Sequence, residues 1–217
     1  MRIRFPSVAP RAAEAGAALV TLAALIALIA SAMPALSQTS TPPAGDKITA
    51  LVVIDVQEFY FPGGSLPLDH PEAAAANCRK LLEKFRAAKQ LIVHVGHNAS
   101  KGASFHPDVT PLAGEKVVRK DEVSAFNGTD LLEYLRAHKV EKLVICGMQT
   151  HMCVEGAVRA AYDLGFECTV VRDACATRAL TYEGKTISAE DVHASTLATL
   201  DRNYAKVVDA NSFVAGE

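Results

Sequence analysis

Ala50-Leu51-Val52-Val53-Ile54-Asp55-Val56-Gln57 opens with aliphatic residues in unbroken succession. A strand with one wet face alternates apolar and polar side chains, whereas a strand covered on both faces does not. Leu51 to Ile54 carry no alternation, so the stretch reads as a central strand of a parallel sheet, beginning at Ile48. Working outward, β-branched runs recur at residues 90–95, 116–119, 142–146, 167–171 and 206–208. Most are separated by segments of helical periodicity, at residues 71–88, 129–138, 153–164 and 189–204. Leu81, Leu82 and Phe85 mark the first of these, and Leu131, Leu132 and Leu135 the second. Thr129-Asp130 and Ser188-Ala189-Glu190 read as helix starts, and Gly165 as a stop. This alternation predicts an α/β fold: a doubly wound, mainly parallel six-stranded sheet, Rossmann-like, with right-handed crossovers and helices on both faces.

The amino-terminal stretch follows a different logic. Arg2, Arg4 and Arg11 precede an uncharged run from Ala15 to Ser37, which closes on Ala35-Leu36-Ser37. That order matches a secretory signal over residues 1–37, with cleavage before Gln38. An uncleaved anchor is the other reading, because the run approaches the roughly 20 residues that span a bilayer. Residues 38–46, rich in Ser, Thr, Pro and Gly, read as a linker, and residues 47–217 as the folded domain. The expected location is therefore periplasmic or secreted, with membrane contact only if the leader is retained. Net charge is −2, so no basic excess points to nucleic acid. The 5 cysteines are an odd number, which leaves at least one thiol unpaired in an oxidising compartment. Cys168 and Cys175 flank much of one expected strand and lie too far apart along it to bridge. Cys78, Cys146, Cys168 and Cys175 read as small buried apolar residues.

Doubly wound sheets bind ligands beyond the carboxyl ends of their strands, where the strand order reverses. The residues at those ends are Asp55 and Gln57, His94 and His97, Lys120, Gly147 to Cys153, and Asp173. Cys153 falls at an expected helix start, where the dipole favours a thiolate and free N–H groups can hold an oxyanion. The plain alternative is a packed thiol. Asp55 ends an apolar run, so its affinity for a proton should rise and suit it to general-base work. The alternative is a turn-forming aspartate. Lys120 beside both would stabilise two anions, although taken alone a lysine there is more often a solvated surface residue.

Three blocks together resemble the isochorismatase-like cysteine hydrolase family, which includes nicotinamidases, carbamoyl-amide hydrolases and isochorismatases. The first is Ala50 to Gln57. The second is Lys120-Asp121-Glu122-Val123-Ser124-Ala125-Phe126, followed by Gly128-Thr129-Asp130-Leu131. The third runs from Cys146-Gly147-Met148-Gln149-Thr150-His151-Met152-Cys153-Val154 through Arg159-Ala160-Ala161 to Asp173-Ala174. The later Val192-His193-Ala194 helix is also similar, so coverage extends from about Lys47 onward. The resemblance implies hydrolysis of a small-molecule amide through a thioester, with Asp55, Lys120 and Cys153 as the catalytic triad. It implies a non-proline cis peptide at Met148–Gln149, with Gln149 lending its backbone N–H to an oxyanion hole.

Gln57, Phe61 and Phe126 are candidate substrate contacts. Phe59, Tyr60 and Phe61 read either as a pocket wall or as core, and His151 as a substrate contact or a packing residue. Residues 177–188 are expected near the entrance. The resemblance also implies a homo-oligomer. No cofactor is expected. Nicotinamidases of this family hold zinc, and Pro62-Gly63-Gly64-Ser65-Leu66 and Ser104-Phe105 are similar to stretches of theirs. Gly102, however, stands where a ligand histidine belongs. His94 and His97 have compatible spacing only if their segment turns. Isochorismatase-type vinyl-ether hydrolysis and a non-catalytic binding protein on the same fold are the alternative functions. A redox thiol role ranks lower, since no Cys-x-x-Cys is present.

Overall fold

The computed structural model describes residues 47–216; the leader and the whole of the linker, together with Glu217, lie outside the described residues. Six strands form one sheet in the order β3-β2-β1-β4-β5-β8, every pair parallel. They are β1 (Thr49–Ile54), β2 (Leu91–His97), β3 (Lys116–Lys120), β4 (Lys142–Met148), β5 (Glu167–Ala176) and β8 (Lys206–Val208). The expected doubly wound sheet is present. Successive residues Leu51 to Ile54 are at most 2% exposed, which requires cover on both faces. Helix α1 (Pro71–Ala87) lies against β1, β2, β4 and β5 beside α5 (Ala210–Ala215). Helices α3 (Glu155–Asp163) and α4 (Ala189–Leu200) pack together against β5 and β8. Helix α2 (Leu131–Ala137) buries Leu131 and Leu135. No helix among the described residues is long and apolar enough to cross a membrane.

Strand order reverses between β1 and β4, the two central strands, and the sheet is irregular there. The β4–β5 register shifts between Ile145 and Gly147. Gly147 has φ of 124°, and a Cβ on it would sit 1.9 Å from the Ile54 carbonyl oxygen. The backbones of β1 and β4 thus touch at the point where both strands deliver their last residues.

Three features differ from the sequence expectation. β5 continues through Arg172-Asp173 to Ala176, past the expected end at residue 171. Residues 177–188 contain a hairpin, β6 (Leu180–Tyr182) and β7 (Lys185–Ile187), turning through Glu183 and Gly184 at positive φ. The expected helix at residue 153 starts with a wide π turn over Thr150–Val154, and α3 begins only at Glu155.

His94 belongs to a buried charge network that ties β2 to α1. Its Nε2 lies 2.8 Å from Glu115 Oε2, and Glu115 takes Arg86 Nε at 2.7 Å and Arg86 Nη2 at 2.9 Å. The Leu112 N–H also donates to Glu115. Burial pushes the Glu115 carboxyl up, but Arg86, Leu112 and His94 together outweigh it and hold the group down at about 2. His94 and His97 stand three apart on one strand, so they face opposite sides of the sheet and cannot share a metal. His97 meets Lys120, and His94 is committed to Glu115. With Gly102 in place of a ligand histidine, these residues do not fit a zinc site.

Two stability predictions follow from these contacts. Gly147→Ala should cost about 3 kcal/mol or more in denaturant unfolding, combining positive-φ strain with a backbone clash. Glu115 titrates in the folded state near 2, below its ordinary 4.5. Its contribution to stability is therefore complete above about pH 4.5 and is lost as the pH falls toward 2. Glu115→Gln should lower the melting temperature clearly at pH 7, and the gap from wild type should narrow through that acid window.

Candidate active site

Asp55 is the first residue past β1, fully buried, with φ of 50° and its N–H on the Val95 carbonyl at 2.8 Å. Aspartate is among the few side chains that tolerate this left-handed conformation. Lys120 ends β3, and its side chain is 0% exposed. Its Nζ approaches Asp55 Oδ2 at 2.8 Å and Cys153 Sγ at 3.3 Å. It also meets His97 Nδ1 at 3.1 Å and the Glu122 carbonyl at 3.0 Å. An ammonium has three hydrogens for these four neighbours. The Asp55 contact is an ion pair without hydrogen-bond alignment, and both carboxylate oxygens lack a hydrogen-bond partner. The fold thus brings Asp55, Lys120 and Cys153 into one buried cluster at the ends of β1 and β3 and just beyond β4.

Burial pushes the Asp55 carboxyl above its ordinary range, opposed by the Lys120 charge. Burial first, and the Asp55 charge second, push the Cys153 thiol up to about 12 against the pull of Lys120. The dipole argument from sequence favoured a thiolate. In this dry setting, desolvation and a neighbouring carboxylate outweigh it, and the resting group is a thiol. A proton leaving Cys153 has a receptive neighbour in Asp55, since the same burial that disfavours the thiolate favours a protonated carboxyl.

The Met148–Gln149 peptide is cis. The Gln149 carbonyl accepts from the N–H groups on either side of Cys153, Met152 at 3.0 Å and Val154 at 3.2 Å. Two side-chain pairs anchor this π turn. Thr150 Oγ1 lies 2.9 Å from His193 Nδ1 on α4, and His151 Nδ1 lies 2.6 Å from Thr177 Oγ1 just past β5. Burial and the nearby Arg178 charge lower the His151 pKa.

The remaining candidates divide. Gln57 is fully buried and clamps loops: its amide donates to the His97 carbonyl at 2.9 Å and the Ala103 carbonyl at 2.7 Å. Its oxygen accepts from the His97 N–H at 2.7 Å. Both amide hydrogens are thereby committed to protein backbone. Phe61 is buried and stacks on His106, with ring centroids 4.0 Å apart. Phe126 stacks on Phe166, which precedes β5 at the opposite end of the sheet. Asp173 accepts from the Ala210 N–H and from Asn77, fixing α5 and α1 to β5. All five cysteines are unbridged, and Cys168 and Cys175 occupy one strand as expected.

Tyr60, Gln149 and Arg178 belong to the same neighbourhood. Gln149 Nε2 donates to the Tyr60 hydroxyl at 3.3 Å, and Tyr60 lies within electrostatic reach of Cys153, Asp55 and Arg178. Five buried side-chain polar atoms among the described residues lack a hydrogen-bond partner: both Asp55 oxygens, Gln149 Oε1, Arg178 Nε and His94 Nδ1. Asp55, Gln149 and Arg178 lie just past β1, β4 and β5; Asp55 Oδ2 is ion-paired to Lys120, and the other three atoms converge where a ligand would meet the strand ends. Arg178 had no sequence signal beyond its place in the expected entrance segment. The pairing of Thr150 with His193 had none.

The isochorismatase domain model matches residues 49–212. The isochorismatase family protein YddQ of Bacillus subtilis is 41% identical over 76% of this chain and 98% of its own length. Maleamate amidohydrolase of Pseudomonas putida is 29% identical over 73% of this chain and 82% of its own. The crystal structure of an isochorismatase-type hydrolase from Oleispira antarctica superposes with a TM-score of 0.76 at 42% identity. That match covers 79% of this chain and 98% of the other. With the domain match spanning nearly all of the described sheet, the chain belongs to the isochorismatase family of hydrolases.

Proposed function

We propose that the protein hydrolyses a small-molecule amide through a Cys153 thioester. The observation that carries this reading is the buried Lys120 ammonium, 2.8 Å from the Asp55 carboxylate and 3.3 Å from the Cys153 sulfur. Asp55 takes the Cys153 proton as sulfur attacks the amide carbonyl, and Lys120 compensates the charge as it moves. The tetrahedral oxyanion rests on backbone N–H groups of Gln149 and Cys153. Asp55 then delivers its proton to the departing amine, and the C–N bond breaks. A water molecule, deprotonated by the same carboxylate, cleaves the thioester to give the acid and restores the thiol. The thiol's resting protonation supports a general-base route over a standing thiolate–ammonium pair. Arg178, with a buried unpaired Nε, supports substrates whose far end carries negative charge, and the maleamate amidohydrolase relative is named for such an amide. The Arg-rich leader supports export, which fractionation of cells expressing the full chain checks.

The test is ammonia release from a panel of acidic and neutral amides, ureides and carbamoyl compounds. Cys153→Ala should lower the rate at least about 10³-fold, with acidic amides turned over ahead of neutral ones. Hydrolysis that survives in Cys153→Ala would sink the thioester route. A second measurement follows the ultraviolet absorbance of the thiolate against pH. Asp55→Asn removes a negative charge beside the sulfur, so the thiol should titrate below its wild-type value of about 12 while hydrolysis collapses. An unchanged titration would mean that the two groups do not share the proton.

A further inference from the structure

Resting on the amide-hydrolase reading, we infer that Gln149 is a specificity residue whose side-chain oxygen receives an N–H of the substrate amide. Its backbone and its side chain then serve opposite ends of one carboxamide. The backbone N–H faces the carbonyl oxygen, and the side-chain oxygen takes the nitrogen.

Gln149 is 2% exposed, so bulk water does not reach its amide freely. One end of that amide is spent, since Nε2 donates to the Tyr60 hydroxyl. The other end, Oε1, is buried without a partner. A buried carbonyl acceptor left unpaired is costly, and native interiors rarely tolerate one without a reason. Oε1 is an acceptor only. Whatever satisfies it brings a hydrogen, and the one group on an amide that does so is N–H.

In the structure the Tyr60 hydroxyl meets the Nε2 end of Gln149, which leaves Oε1 as the free end. The Tyr60 ring is buried against Phe59, with centroids 4.2 Å apart, so the hydroxyl is held in place. Tyr60 follows β1 and Gln149 follows β4, the two strand ends that present Asp55 and the turn carrying Cys153. The Gln149 carbonyl meanwhile holds the π turn that carries Cys153, so the residue is itself rigidly seated. A site built around an unpaired acceptor rejects a ligand that lacks the donor, because binding such a ligand leaves the acceptor orphaned. The substrate class is therefore a primary or secondary carboxamide, in preference to the matching ester, whose leaving oxygen bears no hydrogen.

The experiment uses two matched pairs, maleamate with monomethyl maleate and benzamide with methyl benzoate. Binding to Cys153→Ala protein is measured by ligand-observed NMR, and turnover is measured with wild type. The amide of a pair should bind at least about tenfold more tightly than its ester. Adding Gln149→Met should weaken the amide at least about tenfold and move the ester less than about twofold. Tyr60→Phe, the milder change that frees the glutamine amide to rotate, should cost the amide about threefold and spare the ester. Equal binding of amide and ester, an ester preference, an unchanged amide affinity in both variants, or no binding of either amide overturns the inference. Amide preference without turnover by wild type would sink the hydrolase reading and leave this site standing. Turnover of amide and ester alike would do the reverse.

Discussion

Everything at the carboxyl end of this sheet is arranged around one buried ammonium. Lys120 has no exposed side-chain surface, yet it carries a charge that bulk water would stabilise far better than protein does. Asp55 offsets that cost by direct ion pairing. The Glu122 carbonyl, His97 and the Cys153 sulfur supply polar partners for the hydrogens. Removing a single partner from such a set leaves an uncompensated buried charge, typically at a cost of about 3–5 kcal/mol. The cluster is therefore coupled: the Lys120 charge that holds it together also opposes the burial that raises the Asp55 carboxyl and the Cys153 thiol. Stability and chemistry draw on the same few contacts, and neither can be altered alone.

That coupling depends on backbone placement, which the sheet supplies. β1 and β4 meet so closely at Ile54 and Gly147 that no side chain fits between them. The approach delivers Asp55 from one strand and the Met148–Gln149 peptide from the other. β3, at the sheet edge, reaches the same point through the length of a lysine side chain. The π turn then lowers Cys153 into the cluster, pinned on one side by Thr150 to α4 and on the other by His151 to the end of β5. Fixed elements on three sides hold the sulfur, in line with the need of covalent catalysis for tight positioning.

The central strand was legible because Leu51–Ile54 lack alternation, as burial on both faces requires, and the others because β-branched runs recur between helical segments. Asp55 and Lys120 were legible because each ends a β-branched run, and Cys153 because it opens the segment after one. What escaped notice was either short or distant. The hairpin has three-residue strands whose side chains are largely exposed, so no periodicity betrayed it. Helix α5 spans six residues, too few for a helical pattern to register. Gln149 and Tyr60 are 89 positions apart, and Thr150 and His193 are 43 apart. Local sequence holds no trace of such pairings. The strength with which Cys153 holds its proton was hidden for a related reason: the dipole argument is local, whereas burial and the Asp55 charge come from the assembled fold.

The high proton affinity of Cys153 has a consequence for durability. Peroxide and other electrophilic oxidants attack the thiolate, and the thiol is far less reactive toward them. A cysteine that keeps its proton until a carbonyl arrives is shielded from sulfenic and sulfinic damage between turnovers. An enzyme whose sulfur were ionised at rest would meet every oxidant in its surroundings with its most reactive atom exposed. Under the proposed mechanism, the same neighbours that make the thiol reluctant would also protect it, a trade of more use the more oxidising the surroundings.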